Sequence, residues 1–187
     1  MAFQTQAFQK QALGSAGQIS KTSPYVTTYG VVADEGVKVG AFVQSKAGAT
    51  NENEVVGVSG KAISGNLIGV VVKNKLISSV TETDTYKKGD TVAILTSGSC
   101  FIETELAALK GQYVFIKNSD GSVAFGNNSS IANFTYTGFI VSVGNPSAGK
   151  AVIEITTSQA YTGRMYVAQP ANTPATPTSS GTETQNS

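Results

Sequence analysis

The sequence contains no histidine and one cysteine, and these two facts remove most of the familiar chemistry. Without an imidazole there is no Ser-His-Asp or Cys-His nucleophile pair. With Cys100 as the lone thiol there is no intrachain disulfide, no CxxC redox site and none of the usual zinc ligand sets. Cys100 lies in an apolar stretch and reads as a small buried hydrophobe.

Carboxylates come in four close pairs: Asp34 with Glu35, Glu52 with Glu54, Glu82 with Asp84, and Glu103 with Glu105. Such pairs can serve glycoside hydrolysis or hold a hard cation. Glu52 and Glu54, and likewise Glu82 and Asp84, sit in polar segments that read as exposed loops, where both charges are simply hydrated. A glycosidase groove would also call for tryptophan, and the chain has none.

Gly144-Asn145-Pro146-Ser147-Ala148-Gly149-Lys150 matches the opening of a phosphate-binding loop, G-x-x-x-x-G-K. The working loop needs Ser or Thr next and a helix whose N-terminus faces the phosphates. Here Ala151 follows and AVIEITT continues as a β-branched run, so the segment reads as a hairpin loop between two strands. Asn127, Asn128 and Asn133 begin N-x-S/T triplets, which matter only in a secretory pathway and read here as polar loop. No catalytic, cofactor-binding or metal site is expected.

Short strand-like runs recur between Tyr25 and Thr157, each closed by Gly, Asn, Asp or Ser. They are Tyr25 to Val32, Val39 to Ser45, Val55 to Ile63, Leu67 to Val72, Val92 to Thr96, Cys100 to Thr104, Tyr113 to Lys117, Val123 to Phe125, Thr135 to Val143 and Ala151 to Thr157. Lys87-Lys88-Gly89-Asp90 and Asn118-Ser119-Asp120-Gly121 have turn chemistry, and Thr96-Ser97-Gly98-Ser99 reads as a tight hairpin. One helical turn is predicted over Thr104 to Gly111, with Thr104 as its cap and Gly111 as its stop.

The fold class is therefore all-β: a single antiparallel β-barrel or sandwich domain over residues 25–160, with an extended N-terminal arm over 1–24 and a disordered tail over 161–187. The arm is rich in Gln, Ala, Gly and Ser. Its apolar residues Phe3, Phe8, Leu13 and Ile19 are too scattered to build a core. From Pro170 the tail carries Pro170, Pro174 and Pro177 and no large apolar residue, a composition that cannot offset its ordering entropy by burial.

Composition narrows the role. Lys plus Arg number 13 against 12 Asp plus Glu, giving a formal net charge of +1, so no field draws the protein toward nucleic acid or an acidic membrane. No segment reaches the roughly 18 consecutive apolar residues of a membrane span. MAFQTQAFQKQ lacks the apolar stretch of a signal peptide, so synthesis in a cytoplasm is expected.

The chain resembles the structural cement proteins that decorate tailed-bacteriophage capsids. The resemblance is carried by Met1-Ala2-Phe3-Gln4-Thr5 leading into a small-residue arm, and by Gly36-Val37-Lys38-Val39-Gly40-Ala41-Phe42-Val43. It continues in Ile68-Gly69-Val70-Val71-Val72-Lys73 and Tyr86-Lys87-Lys88-Gly89-Asp90-Thr91-Val92-Ala93-Ile94-Leu95. It implies a β-barrel-like virion protein made in the host cytoplasm. Such a protein sits on the outer capsid surface, bridges major capsid protein subunits and acts as a homo-oligomer. It implies no catalytic residue, cofactor, nucleic acid, membrane or small-molecule substrate. On this reading Phe3, Phe8, Leu13 and Ile19 are the capsid-contact residues of the arm. The competing readings are a head-fibre base or glycan-binding module displayed on the virion, and an enzyme such as a depolymerase, which the missing histidine and tryptophan disfavour.

Overall fold

Leu67-Ile68-Gly69-Val70-Val71-Val72 is apolar on both parities, which a strand buried on both faces requires. In the computed structural model, which describes residues 14–20, 24–34, 36–49, 51–73 and 84–158, Val70 and Val72 face one core and Val71 another. The chain is all-β, as predicted, with twelve strands among the described residues.

Five of them, β1 (Val26–Val32), β4 (Glu54–Gly57), β3 (Phe42–Ser45), β5 (Leu67–Val72) and β7 (Thr91–Ser97), form a barrel in that order. A ribbon of β2 (Val37–Lys38) and β6 (Thr85–Tyr86) adds Val37 and Tyr86 to the barrel interior, beside Val43, Val55, Val71, Val92 and Ile94. The remaining strands make a five-stranded sheet. They are β8 (Ser99–Thr104), β9 (Tyr113–Lys117), β10 (Val123–Gly126), β11 (Phe134–Val143) and β12 (Ala151–Thr157), in the order β10-β9-β11-β12-β8.

A second, larger core lies between the barrel and this sheet. Phe42, Val70, Val72 and Leu95 meet Cys100, Ile102, Val114, Ile116, Phe139, Val141, Ile153 and Ile155 there. The wall β3-β5-β7 thus belongs to both cores, which ties barrel and sheet into one unit. Gly69 sits where β3 and β5 shift register. A Cβ at this position would lie 2.1 Å from the Leu95 carbonyl oxygen, so only glycine allows β5 to pack this close to β7.

The pairings are antiparallel except for β1 with β4, which run parallel over two residue pairs, Val31↔Glu54 and Val32↔Val55. Closure by a parallel strand follows from the connection, since β2 and β3 intervene between β1 and β4. Among the described residues the seam is short, confined to these two pairs at the end of β1.

Two local expectations are corrected. Thr104 to Gly111 is not helical. The Ala108 N–H goes to the Asn145 carbonyl at 2.8 Å and the Gly111 N–H to the Val141 carbonyl at 2.8 Å, so partners across the sheet take the amides that an i→i−4 ladder would use. Thr96 to Ser99 is not a hairpin either. β7 pairs with β1 and β5 whereas β8 pairs with β12. Gly98, at φ +118°, is the corner at which the chain leaves the barrel for the sheet.

Candidate contact surfaces

The described carboxylates are largely matched by lysines. Lys46 Nζ lies 3.4 Å from Asp34 and 3.8 Å from Glu54. Lys73 reaches Asp84 at 3.2 Å and Lys150 reaches Glu103 at 3.1 Å. Glu52 and Glu105 point to solvent, and Glu35 and Glu82 lie outside the described residues. Among the described residues no three potential ligands cluster around a metal position.

The phosphate-loop look-alike is the connection between β11 and β12, as its sequence predicts. Its backbone is already engaged: the Gly149 N–H donates to the Glu105 carbonyl at 2.8 Å, and Asn145 pairs with Ala108. Ala151 opens a strand, so no helix N-terminus faces the loop. Cys100 is fully buried, and burial, reinforced by the Glu154 carboxylate, pushes its thiol up to about 12. It is inert as a nucleophile at neutral pH. Asn127, Asn128 and Asn133 all fall in the exposed connection between β10 and β11.

Of the four arm residues, Phe3, Phe8 and Leu13 lie outside the described residues. Ile19 is half-buried against the core between barrel and sheet and bridges Cys100. Residues 14–20 in fact extend the five-stranded sheet beyond β8. The Phe101 N–H donates to Gln18 O at 3.0 Å, Gly17 N–H to Phe101 O at 2.7 Å and Ser20 N–H to Ser99 O at 2.8 Å. Gly17 also accepts from the Lys73 N–H at 2.8 Å, which ties this added strand to the barrel. Its φ of +73°, with Val39 Cγ1 2.0 Å from where a Cβ would stand, requires glycine. Small residues that read as arm composition are therefore packing requirements of a seat, a distinction visible only once β8 and Val39 are positioned.

Among the described residues, apolar and aromatic side chains reach the surface in three places. Tyr25, Val26 and Tyr29, exposed by 56%, 60% and 55%, cluster on β1 and the residue before it. Leu106 and Leu109, about half exposed, flank the buried Ala108 beside the β11–β12 loop. Tyr113, Phe134 and Tyr136 are half-buried around Phe115 on the sheet face turned away from the core, with Tyr113 and Tyr136 edge to face at 5.3 Å. A cleft of about 460 Å³ runs between barrel and sheet, with Phe42 and Ile102 among its walls and Lys38, Asp84, Glu103 and Lys150 among its charged residues. Its cations and anions are balanced, unlike a site for a strongly charged ligand.

The family model described as structural cement protein (E217 gp24/Pam3 gp6) matches residues 3–158. Among solved structures, a chain of the one titled the capsid of Myoviridae phage XM1 has the same fold. It aligns with a TM-score of 0.57 at 17% identity, over 85% of this chain and 99% of that one. No curated protein matches the chain.

Proposed function

The chain belongs to the structural cement protein family of phages, a structural role in the capsid, and from that premise we propose that it binds the outer surface of the head and bridges neighbouring major capsid protein subunits. It does so as a homo-oligomer and without catalysis, cofactor or small-molecule substrate. The observation that carries this reading is the extent of the family match, which takes in the arm and the whole β-domain, residues 3–158.

The physical features fit a clamp. A wall shared by two cores gives a stiff platform, because a shift of one layer must disturb both packings. The net charge of +1 leaves contact to shape and apolar anchors rather than to long-range steering. The half-exposed side chains at Tyr25 and Tyr29, and at Leu106 and Leu109, offer anchors on two separate surfaces, which a bridge between two subunits needs.

The test is to strip phage heads of this protein, add it back and image the particles. Density on the outer surface, straddling two or more major capsid subunits with a copy number tied to the lattice, is the expected result. Density on one subunit alone would remove the bridge, and a few copies at a single vertex would favour a fibre base.

A further inference from the structure

The backbone groups along β1 point alternately to its two sides. Those of Val26 and Val32 face β7: the Val32 N–H donates to Asp90 O at 2.9 Å, and Val26 O accepts from Thr96 Oγ1 at 3.2 Å. Those of Val31 and Ala33 face β4, their N–H groups donating to Asn53 O and Val55 O at 2.8 and 2.9 Å. By the same alternation Tyr25, Thr27 and Tyr29 turn their N–H and C=O groups to the β4 side. β4 begins only at Glu54, opposite Val31, so among the described residues no strand lies beside them. Val32 points into the barrel, which leaves the side chains of Thr27 and Tyr29 on its outer face.

The two ends of β1 differ in how this edge is guarded. At its finish Lys46 holds Asp34 at 3.4 Å and Glu54 at 3.8 Å, and Lys87 and Lys88 stand in the turn before β7. The start, Pro24-Tyr25-Val26-Thr27-Thr28-Tyr29, carries no charge, and an edge without lysines is open to strand addition. Its pattern also selects the partner. Taken outward from Thr27, Tyr25-Val26-Thr27-Thr28-Tyr29 reads the same in both directions except that Val26 mirrors Thr28, and both of these are β-branched.

We propose that β1 pairs antiparallel with β1 of a second copy of this chain, about a two-fold axis through Thr27. The inference takes the homo-oligomer of the proposed function as its premise and assigns it an interface. Tyr25 lies opposite the second copy's Tyr29, Thr27 opposite the second copy's Thr27, and Val26 opposite the second copy's Thr28. Aromatic pairs and Thr–Thr pairs are favourable cross-strand neighbours, and a two-fold contact requires this self-complementarity. Pro24, which has no N–H, ends the ladder on one side, and Asn53, already engaged by the Val31 N–H, ends it on the other. Because the pairing uses the backbone edge, Tyr25 and Tyr29 of both copies stay on the outer face and merge into one anchor. A standard interface has roughly 20–30 residues a side. A ladder over Tyr25–Tyr29 alone is therefore weak in free solution and strengthens when both copies are held on a repeating lattice.

Purified protein without heads tests this separately from head binding. Sedimentation equilibrium of the full chain, carried to about 1 mM so that weak association is read, shows a monomer–dimer equilibrium. Thr27→Lys and Thr27→Glu each set like charges directly opposite and weaken it at least about tenfold, and an equimolar mixture of the two restores it. The Thr27 and Tyr29 amides exchange at least about threefold more slowly at about 1 mM than at about 10 μM. Those of Val92 and Ile94 do not change with concentration, and their protection in each variant shows that the barrel is intact. A parent chain that stays monomeric to about 1 mM, variants that associate as the parent does, or a mixture that recovers nothing would overturn the proposal. Protection of Thr27 and Tyr29 that is independent of concentration would overturn it in favour of the chain's own residues on this edge.

Discussion

Cys100 and Gln44 are two buried polar groups that the fold treats in opposite ways. The Cys100 thiol has no hydrogen-bonding role and is held neutral, its pKa raised from 9.0 to about 12 by burial. The folded state therefore keeps a proton that the unfolded state releases, so this contribution is complete below pH 9 and is lost as pH rises toward 12. We expect stability to fall across that window by up to about 1.4 kcal/mol per pH unit from this group. Denaturant melts of Cys100→Ala, compared with the parent at pH 8 and 11, should show a smaller drop. Between pH 5 and 8 the profile should be flat, because no histidine is present and the Lys117 ammonium and Ser122 hold the Asp120 carboxyl well below the usual range. A melting temperature that moves by several degrees there would require a titrating group elsewhere. Gln44, by contrast, is 1% exposed and hydrogen-bonded through both its amide oxygen and its amide nitrogen. Its Oε1 accepts from Ser64 N–H and Gly65 N–H at 2.9 Å each, and its Nε2 donates to Ala62 O at 3.2 Å, pinning the connection before β5. Gln44→Leu should cost about 1–3 kcal/mol in chemical denaturation. Lys150→Ala, which removes an exposed ion pair, should cost less than about 1 kcal/mol, and calorimetry with ATP should detect no binding to either protein.

At the scale of elements, the segment 14–20 divides what looked like one arm into two parts. Deleting residues 2–13 should leave the melting temperature of the β-domain nearly unchanged. Deleting residues 2–20 should lower it clearly, since it uncovers the β8 edge and withdraws Ile19, a burial worth roughly 1.5–3 kcal/mol when complete. Equal melting of the two truncations would mean that the seat on β8 contributes nothing. The same division marks how far the sequence can be read. Leu67–Val72, Tyr113–Lys117 and Ala151–Thr157 coincide with their predicted bounds, because each is a dense apolar or β-branched run between breakers and its signal is local. β2 and β6, two residues each, leave no periodicity to detect. The predicted helix at Thr104 had correct capping chemistry, and Thr104 Oγ1 does accept the Leu106 N–H at 3.1 Å. What overrode it was a partner at Asn145, distant in sequence. Exposure at Tyr25 and Tyr29 was hidden for a similar reason, since it depends on where β4 begins.

For the whole molecule, the family places the protein in the virion, and the proposed clamp divides its labour between termini and core. Removing Pro170 to Ser187 should leave occupancy on stripped heads unchanged, as that stretch has no large apolar residue to anchor. Removing residues 2–13, with Phe3 and Phe8, should reduce occupancy and the heat resistance of decorated particles. Unaltered values would assign the grip to the β-domain alone. The seat of residues 14–20 also dictates an order of events during synthesis. This segment leaves the ribosome before any of its partners: Val39, Lys73, Ser99 and Phe101 all follow it. It must wait until β8 exists, so a part translated before all its partners is among the last to find its place. Until then each nascent molecule has an unfilled groove on β8 and an unplaced strand made to fit it. In an infected cell crowded with copies of one sequence, the strand of one molecule can enter the groove of the next, and the interval before self-closure decides whether single subunits or strand-exchanged assemblies reach the capsid.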